Sequence, residues 1–233
     1  MTPRLTIGNR NYSSWSLRPW LCLKWSKVAF EERFFELDQP GYGAEGIAAL
    51  QALSPNGKVP LLEVDGTSIW ESVAIAEWAA EQAGAGLLPS DPLLRAQVRA
   101  AVAEMHAGFP ALRRDLPMNI RRRCVASNLP TDTGRDLARL DALWSGMRRA
   151  HGTHGPYLFG QRSMADAFYL PVATRLRTYA VSLSPASDGY ARTLLADPAF
   201  LEWERAVLAE PRTNFSRAPL DAVFPGTDRA QVS

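Results

Sequence analysis

One change of pattern constrains this chain more than any other. Short strand signals alternate with helical ones up to residue 84, and from residue 93 onward only helical periodicity remains. Between them lies residues 84–92, GAGLLPSDP, whose Gly and Pro content reads as a linker. The first part runs β-α-β-α-β-β-α. Leu5 and Ile7 alternate with polar residues as a half-buried strand does. From Ser16, Leu17, Trp20, Leu21 and Trp25 recur at helical steps, with Ser16 as N-cap and Pro19 in the first turn. Residues 30–37 read as a second strand and residues 42–53 as a weak helix. Residues 61–64 and 67–70 flank Asp65-Gly66, a two-residue hairpin signal. Ser72 is placed to cap a helix ending near Ala83 and Gly84. Two strands joined by a helix pair in parallel and the hairpin adds antiparallel neighbours, so the sheet is mixed.

Beyond the linker, Val98, Val102, Met105, Phe109 and Leu112 predict one long amphipathic helix. Leu137, Leu140, Trp144 and Met147 predict the next. Residues 163–178 give a third, kinked at Pro171, and residues 198–209 a fourth. The tail after Pro211 reads as irregular. The expected class is therefore α/β plus all-α: 1–84 a mixed α/β domain, 85–92 a linker, 93–233 an all-helical domain.

Composition sets outer limits. Hydrophobic residues make up 46% and the net charge is +2, enough apolar side chain for a core and too little positive charge to argue for nucleic acid. No apolar run is long enough to span a membrane and the first ten residues do not read as a signal peptide, so a cytoplasmic location is expected. Cys22 and Cys124 form no CxxC pair, and His106, His151 and His154 are scattered, so no metal site is expected. The two cysteines read as reduced core thiols, and His151 and His154 as loop residues.

Several short motifs fall in a telling order. Val59-Pro60 follows a Gly-containing loop and precedes a strand. Glu71-Ser72 ends the hairpin before a helix. Ser163-Met164-Ala165-Asp166 opens a helix after Tyr157-Leu158-Phe159-Gly160. Together these resemble the glutathione transferase superfamily over about residues 4–210. The run Ser13-Ser14-Trp15-Ser16-Leu17-Arg18 also resembles the active-site run of the zeta class, whose first serine, five residues before an arginine, is catalytic. Trp15 stands where that class has a cysteine.

That resemblance implies a thioredoxin-like N-terminal domain with a mixed four-stranded sheet and a helical-bundle C-terminal domain holding the co-substrate. It implies glutathione as co-substrate, a small electrophile as second substrate, a detoxification role and a homodimer. Glutathione-dependent cis–trans isomerisation of the maleylacetoacetate type and a non-catalytic glutathione-binding or scaffold protein are the alternatives. Ser13 is the implied hydrogen-bond donor to the glutathione thiolate, Ser14 the second choice, and Arg18 the matching arginine. Only the thiolate is a strong nucleophile, and a hydroxyl donating to sulfur favours it; by itself the serine run also suits an ordinary turn. Pro60 is implied to be cis, so that Val59 offers its backbone to the cysteinyl unit; alone it reads as the start of a strand. Ser72 at a helix N-terminus suits the γ-glutamyl carboxylate or a plain cap. Glu71 suits the α-amine or a solvated surface, and Lys58 the glycyl carboxylate or a solvated loop. Ser163 and Asp166 read as a capping box that starts a helix. Arg113, Arg114 and Arg121–Arg123 suit either a solvated face or an acidic co-substrate. A thiol–disulfide enzyme would need a reactive cysteine at the end of the first strand, where Ser13 and Ser14 stand.

Overall fold

A computed structural model describes residues 2–82, 86–210 and 226–228. The N-terminal elements are β1 (Arg4–Ile7), α1 (Ser14–Trp25), β2 (Glu31–Phe34), α2 (Ala48–Leu53), β3 (Leu61–Val64), β4 (Thr67–Trp70) and α3 (Ser72–Gln82). The sheet order is β2-β1-β3-β4, with β1 parallel to β2 and the other neighbours antiparallel. The hairpin turns at Asp65-Gly66, both with positive φ, which suits the twist of the flanking strands. β1 is not half-buried as its alternation suggested. Thr6 is as fully buried as Leu5 and Ile7, because this interior strand is covered on both faces.

Helix α1 begins three residues earlier than its apolar stripe suggests. Ser13 rather than Ser16 is its N-cap, since the Ser13 side chain accepts the Ser16 N–H. Pro19 accordingly lies inside the helix, not in its first turn. The weak helix expected over residues 42–53 is confined to α2, because Gly41, Gly43 and Gly46 all take positive φ. Ser72 is the first helical residue of α3 rather than its cap. Glu71 supplies the carbonyl that accepts the Ile75 N–H, at 3.1 Å. The expected end of α3 at Ala83 and Gly84 lies outside the described residues.

The helical part comprises α4 (Pro92–Ala107), α5 (Pro110–Asp115), β5 (Arg122–Cys124), α6 (Thr131–His151), a turn of 3-10 helix (Gly152–His154), α7 (Met164–Thr178), α8 (Pro185–Leu195), α9 (Pro198–Ala209) and β6 (Gly226–Asp228). The single long helix read through Leu112 is two. Pro110 has no N–H to donate and disfavours helical geometry before it, and Phe109 turns to φ 58°. Two features lay outside the sequence reading. α8 buries Ser187, Tyr190, Ala191 and Leu194 at helical steps, but only two of these are large and apolar. β5 and β6 form a two-stranded sheet whose second strand falls in the tail expected to be irregular. The rest of that tail, 211–225 and 229–233, lies outside the described residues.

Helix α7 is the axis of the molecule. All its residues but Arg177 are buried, as expected of a helix packed on every side. It contacts α1, α4 and α8, joining the sheet-bearing part to the helical part through one apolar core. Asp166 anchors its start. The carboxylate accepts the Leu158 and Ser163 N–H groups and the Ser163 and Tyr190 hydroxyls, at 3.1, 2.7, 3.1 and 2.7 Å. Burial pushes the Asp166 pKa up, and these donors oppose that shift.

Candidate active site

A cleft of about 490 Å³ opens where the loop before α1, the segment from Gly41 to Val59, and the Arg113–Asn119 stretch meet α7. Four of the site residues read from sequence line it: Ser13, Ser14, Lys58 and Val59. Pro60, Glu71 and Ser72 do not. Pro60 and Glu71 are nevertheless tied to the same loop. Val59-Pro60 is cis, and Asn56 bridges outward, donating to Glu71 Oε1 at 3.2 Å and accepting the Lys58 N–H at 3.1 Å.

The two serines are buried yet face the cleft. Ser13 Oγ accepts the Ser16 N–H at 3.2 Å and lies 2.8 Å from Ser16 Oγ. Ser16 Oγ in turn accepts the Gly8 N–H at 3.1 Å. When the Ser16 hydroxyl donates to Ser13, the Ser13 proton is left for a ligand. Gly8 was not singled out from sequence, but its role is steric. A Cβ there would sit 2.4 Å from Leu37 Cδ1 and 3.1 Å from Val59 Cγ2, so any larger residue would displace the Leu37 side chain packed against this strand end. Ser14 differs. Its Oγ accepts from Arg175 at 3.3 Å.

At the β4–α3 corner, Glu71 takes φ 70°, an uncommon left-handed backbone for a residue with a side chain. Ser72 Oγ is fully buried and lacks a hydrogen-bond partner. An orphaned hydroxyl at a helix N-terminus is equipped for an anionic group. Glu71 Oε2 also lies 3.8 Å from His106 Nε2, and burial holds the His106 pKa below its usual value, with nearby Arg18 and Arg113 adding to that shift.

The opposite wall is cationic. Lys58, Arg113 and Arg175 line the cleft, and among the described lining residues there is no carboxylate. Arg175 was missed from sequence: it lies inside an apolar helix, 161 residues from the Ser14 it reaches, and no local pattern marks it. Burial and the neighbouring Arg113 lower its pKa. Trp15, at the cysteine position of the zeta-like run, is flanked by the Arg18 and Arg113 guanidiniums at 4.5 and 4.8 Å from the ring centroid. Arg18 is fully buried, stacks also on Phe168 at 5.1 Å, and makes no hydrogen bond through any of its three nitrogens. It is not among the residues that line the cleft.

The Arg121–Arg123 cluster is neither a solvated face nor a cleft wall. Arg121 is buried and donates to the Val207 and Glu210 carbonyls. Arg122 meets Asp228, and Arg123 donates to the Ile120 and Arg122 carbonyls. Cys22 is sealed in the core with its pKa pushed up by burial, which makes it a poor nucleophile. His151 ends α6 and packs against Phe159. Among the described residues no group of His, Cys, Asp and Glu is arranged to hold a metal ion, and no helix is long and apolar enough to cross a membrane.

Residues 12–82 match the family described as "Glutathione S-transferase, N-terminal domain". Maleylacetoacetate isomerase of Rattus norvegicus is 30% identical over 76% of this chain and 79% of its own length. The chain belongs to the glutathione S-transferase superfamily. Within it, maleylacetoacetate isomerase of Pseudomonas aeruginosa is 30% identical over 82% of this chain and 90% of its own. The fold matches a Burkholderia glutathione transferase homologue, solved with bound glutathione, at a TM-score of 0.64 and 22% identity, covering 88% of this chain and 97% of that one. The N-terminal part of this chain is accordingly a thioredoxin-like domain with a mixed four-stranded sheet, followed by a helical C-terminal part.

Proposed function

We propose that the protein is a glutathione transferase in which the Ser13 hydroxyl holds the glutathione thiolate for attack on a small electrophile. The observation that carries this reading is the Ser13–Ser16–Gly8 relay. With the Ser16 hydroxyl donating, it satisfies the Ser13 oxygen from behind and leaves the Ser13 proton for the cleft. A free thiol has a pKa of about 8.5, and a hydrogen bond to sulfur lowers it. Ser13 also caps α1, whose N-terminal partial charge favours an anion.

Around that sulfur, the Val59 backbone pairs with the cysteinyl unit and Lys58 meets the glycyl carboxylate. Ser72 and the first turn of α3 hold the γ-glutamyl carboxylate, and Glu71 answers its amine. The orphaned Ser72 hydroxyl supports this placement. The second substrate lies against Arg113 and Arg175, and a lining that holds these cations and, among the described residues, no carboxylate favours an anionic electrophile.

A second reading, glutathione-dependent cis–trans isomerisation, is favoured by the same cationic wall and by the named relatives. There the thiolate adds to a cis double bond, the resulting single bond rotates, and elimination restores the thiolate. The chain divides into a glutathione-binding domain over 1–84, a linker over 85–92 and a co-substrate domain over 93–233. It acts as a cytoplasmic homodimer in detoxification or catabolism.

Calorimetric titration with glutathione tests the common part. Saturable binding at millimolar concentration or below is expected; no binding would favour the scaffold alternative. A panel of halogenated, epoxide and maleyl-type electrophiles then separates the two reactions. Turnover without net consumption of glutathione identifies the isomerase.

A further inference from the structure

The loop that carries Ser13 is held from the far side of the cleft. Asn11 is buried, and every polar group it presents there is bonded to residues 119–121 of the helical part. Its backbone carbonyl accepts the Ile120 N–H at 3.3 Å. Its side-chain oxygen accepts the Arg121 N–H at 3.0 Å, and its side-chain nitrogen donates to Asn119 Oδ1 at 2.9 Å. A solvated turn would leave these groups to water. Here one asparagine spans the boundary between two parts of the chain more than a hundred residues apart, in the manner of a short strand pairing.

The receiving segment is itself fixed. The Thr178 hydroxyl of α7 donates to the Asn119 carbonyl at 2.7 Å, and the Arg121 guanidinium is locked on the last carbonyls of α9. On the other side of Asn11 the chain turns at once into the site. Asn9 accepts the Ser13 N–H at 2.9 Å, and Ser13 begins α1 two residues on. Asn119 also lines the cleft.

We infer that Asn11 is a positioning residue for thiolate formation: its three bonds to residues 119–121 set where the Ser13 hydroxyl points, and so set the pKa of bound glutathione. This rests on the proposed role of Ser13. It also assigns the basic run at Arg121 a function that neither a solvated face nor a co-substrate wall explains. A hydrogen bond to sulfur depends steeply on donor placement, so loosening the loop weakens it without removing the hydroxyl.

The test is the pH titration of the bound thiolate, followed by its ultraviolet absorbance, in the full-length protein. Asn11→Ala is expected to raise the apparent thiol pKa by about one pH unit and to lower kcat/KM about tenfold at pH values below it, with the KM for glutathione little changed. Asn11→Asp keeps the acceptor for the Arg121 N–H and is expected to recover part of the shift. A purely structural role would lower stability and leave the pKa of the folded fraction in place. An unchanged pKa in Asn11→Ala overturns the inference. Should that variant not fold, Asn119→Ala removes only the side-chain bridge, and the same readings apply to it. Ser13→Ala run in parallel separates the two ideas. A shift in Ser13→Ala without one in the Asn11 variants sinks the clamp alone, and no shift in Ser13→Ala sinks the role of Ser13 and the clamp with it.

Discussion

Helices α1 and α7 each take a serine as N-cap, and they put it to opposite use. At α7, Ser163 is followed three residues later by Asp166, and the serine hydroxyl is spent on that carboxylate inside the core. At α1, Ser13 is followed three residues later by Ser16, which is no acid, and the cap faces a cleft. The local chemistry is the same, a side-chain oxygen at a helix N-terminus. The residue at the third helical position decides the outcome. A carboxylate there consumes the hydroxyl proton and the motif becomes a pin for folding. A second hydroxyl, itself held by the Gly8 N–H and 2.8 Å from the first, is free to donate to it, and the first then keeps its proton for a ligand.

The comparison breaks if the two sites respond alike to substitution. Asp166→Ala leaves four buried donors without their acceptor. It is expected to cost about 3–5 kcal/mol of stability by denaturant unfolding, with the thiol pKa of the folded fraction unmoved. Ser16→Asp converts α1 into a copy of the α7 arrangement. The new carboxylate takes the Ser13 proton and sets a negative charge beside the thiolate, so kcat/KM is expected to fall about 100-fold, roughly 2.7 kcal/mol. Arg175→Met removes a cation from the co-substrate wall and is expected to raise the KM of an anionic electrophile about tenfold while leaving glutathione affinity in place. Ser14→Ala is the smallest. Its oxygen is already engaged by Arg175, and a change of only about two- to threefold in kcat/KM is expected.

What the sequence disclosed follows the range of the interactions. The Asp65-Gly66 hairpin, the Ser163–Asp166 box and the order of strands are set by residues a few positions apart, and they were legible. The position of the α1 cap was misjudged because Ser13 and Ser16 are both good caps. The contact that decides between them, Ser16 Oγ on the Gly8 N–H, spans a loop. Arg175, Asn11 and Arg121 were not legible in their actual roles. Each acts across more than eighty residues, and a buried arginine in an apolar helix or an asparagine in a turn carries no periodic signal. The basic run at 121–123 misled for the same reason. Charge alone suggested a surface, whereas Arg121 satisfies carbonyls at the end of α9.

The central claim is that the Ser13 hydroxyl lowers the pKa of bound glutathione. It is tested most directly by titrating the thiolate absorbance of the glutathione complex in the parent protein and in Ser13→Ala. Loss of a hydrogen bond to a charged group is worth about 1.5–3 kcal/mol, so the apparent pKa in the variant is expected to rise by about one to two pH units. The rate deficit is then greatest below the parent pKa, where the variant holds less thiolate, and closes at pH values above both. A variant whose pKa and pH–rate profile coincide with those of the parent would contradict the account.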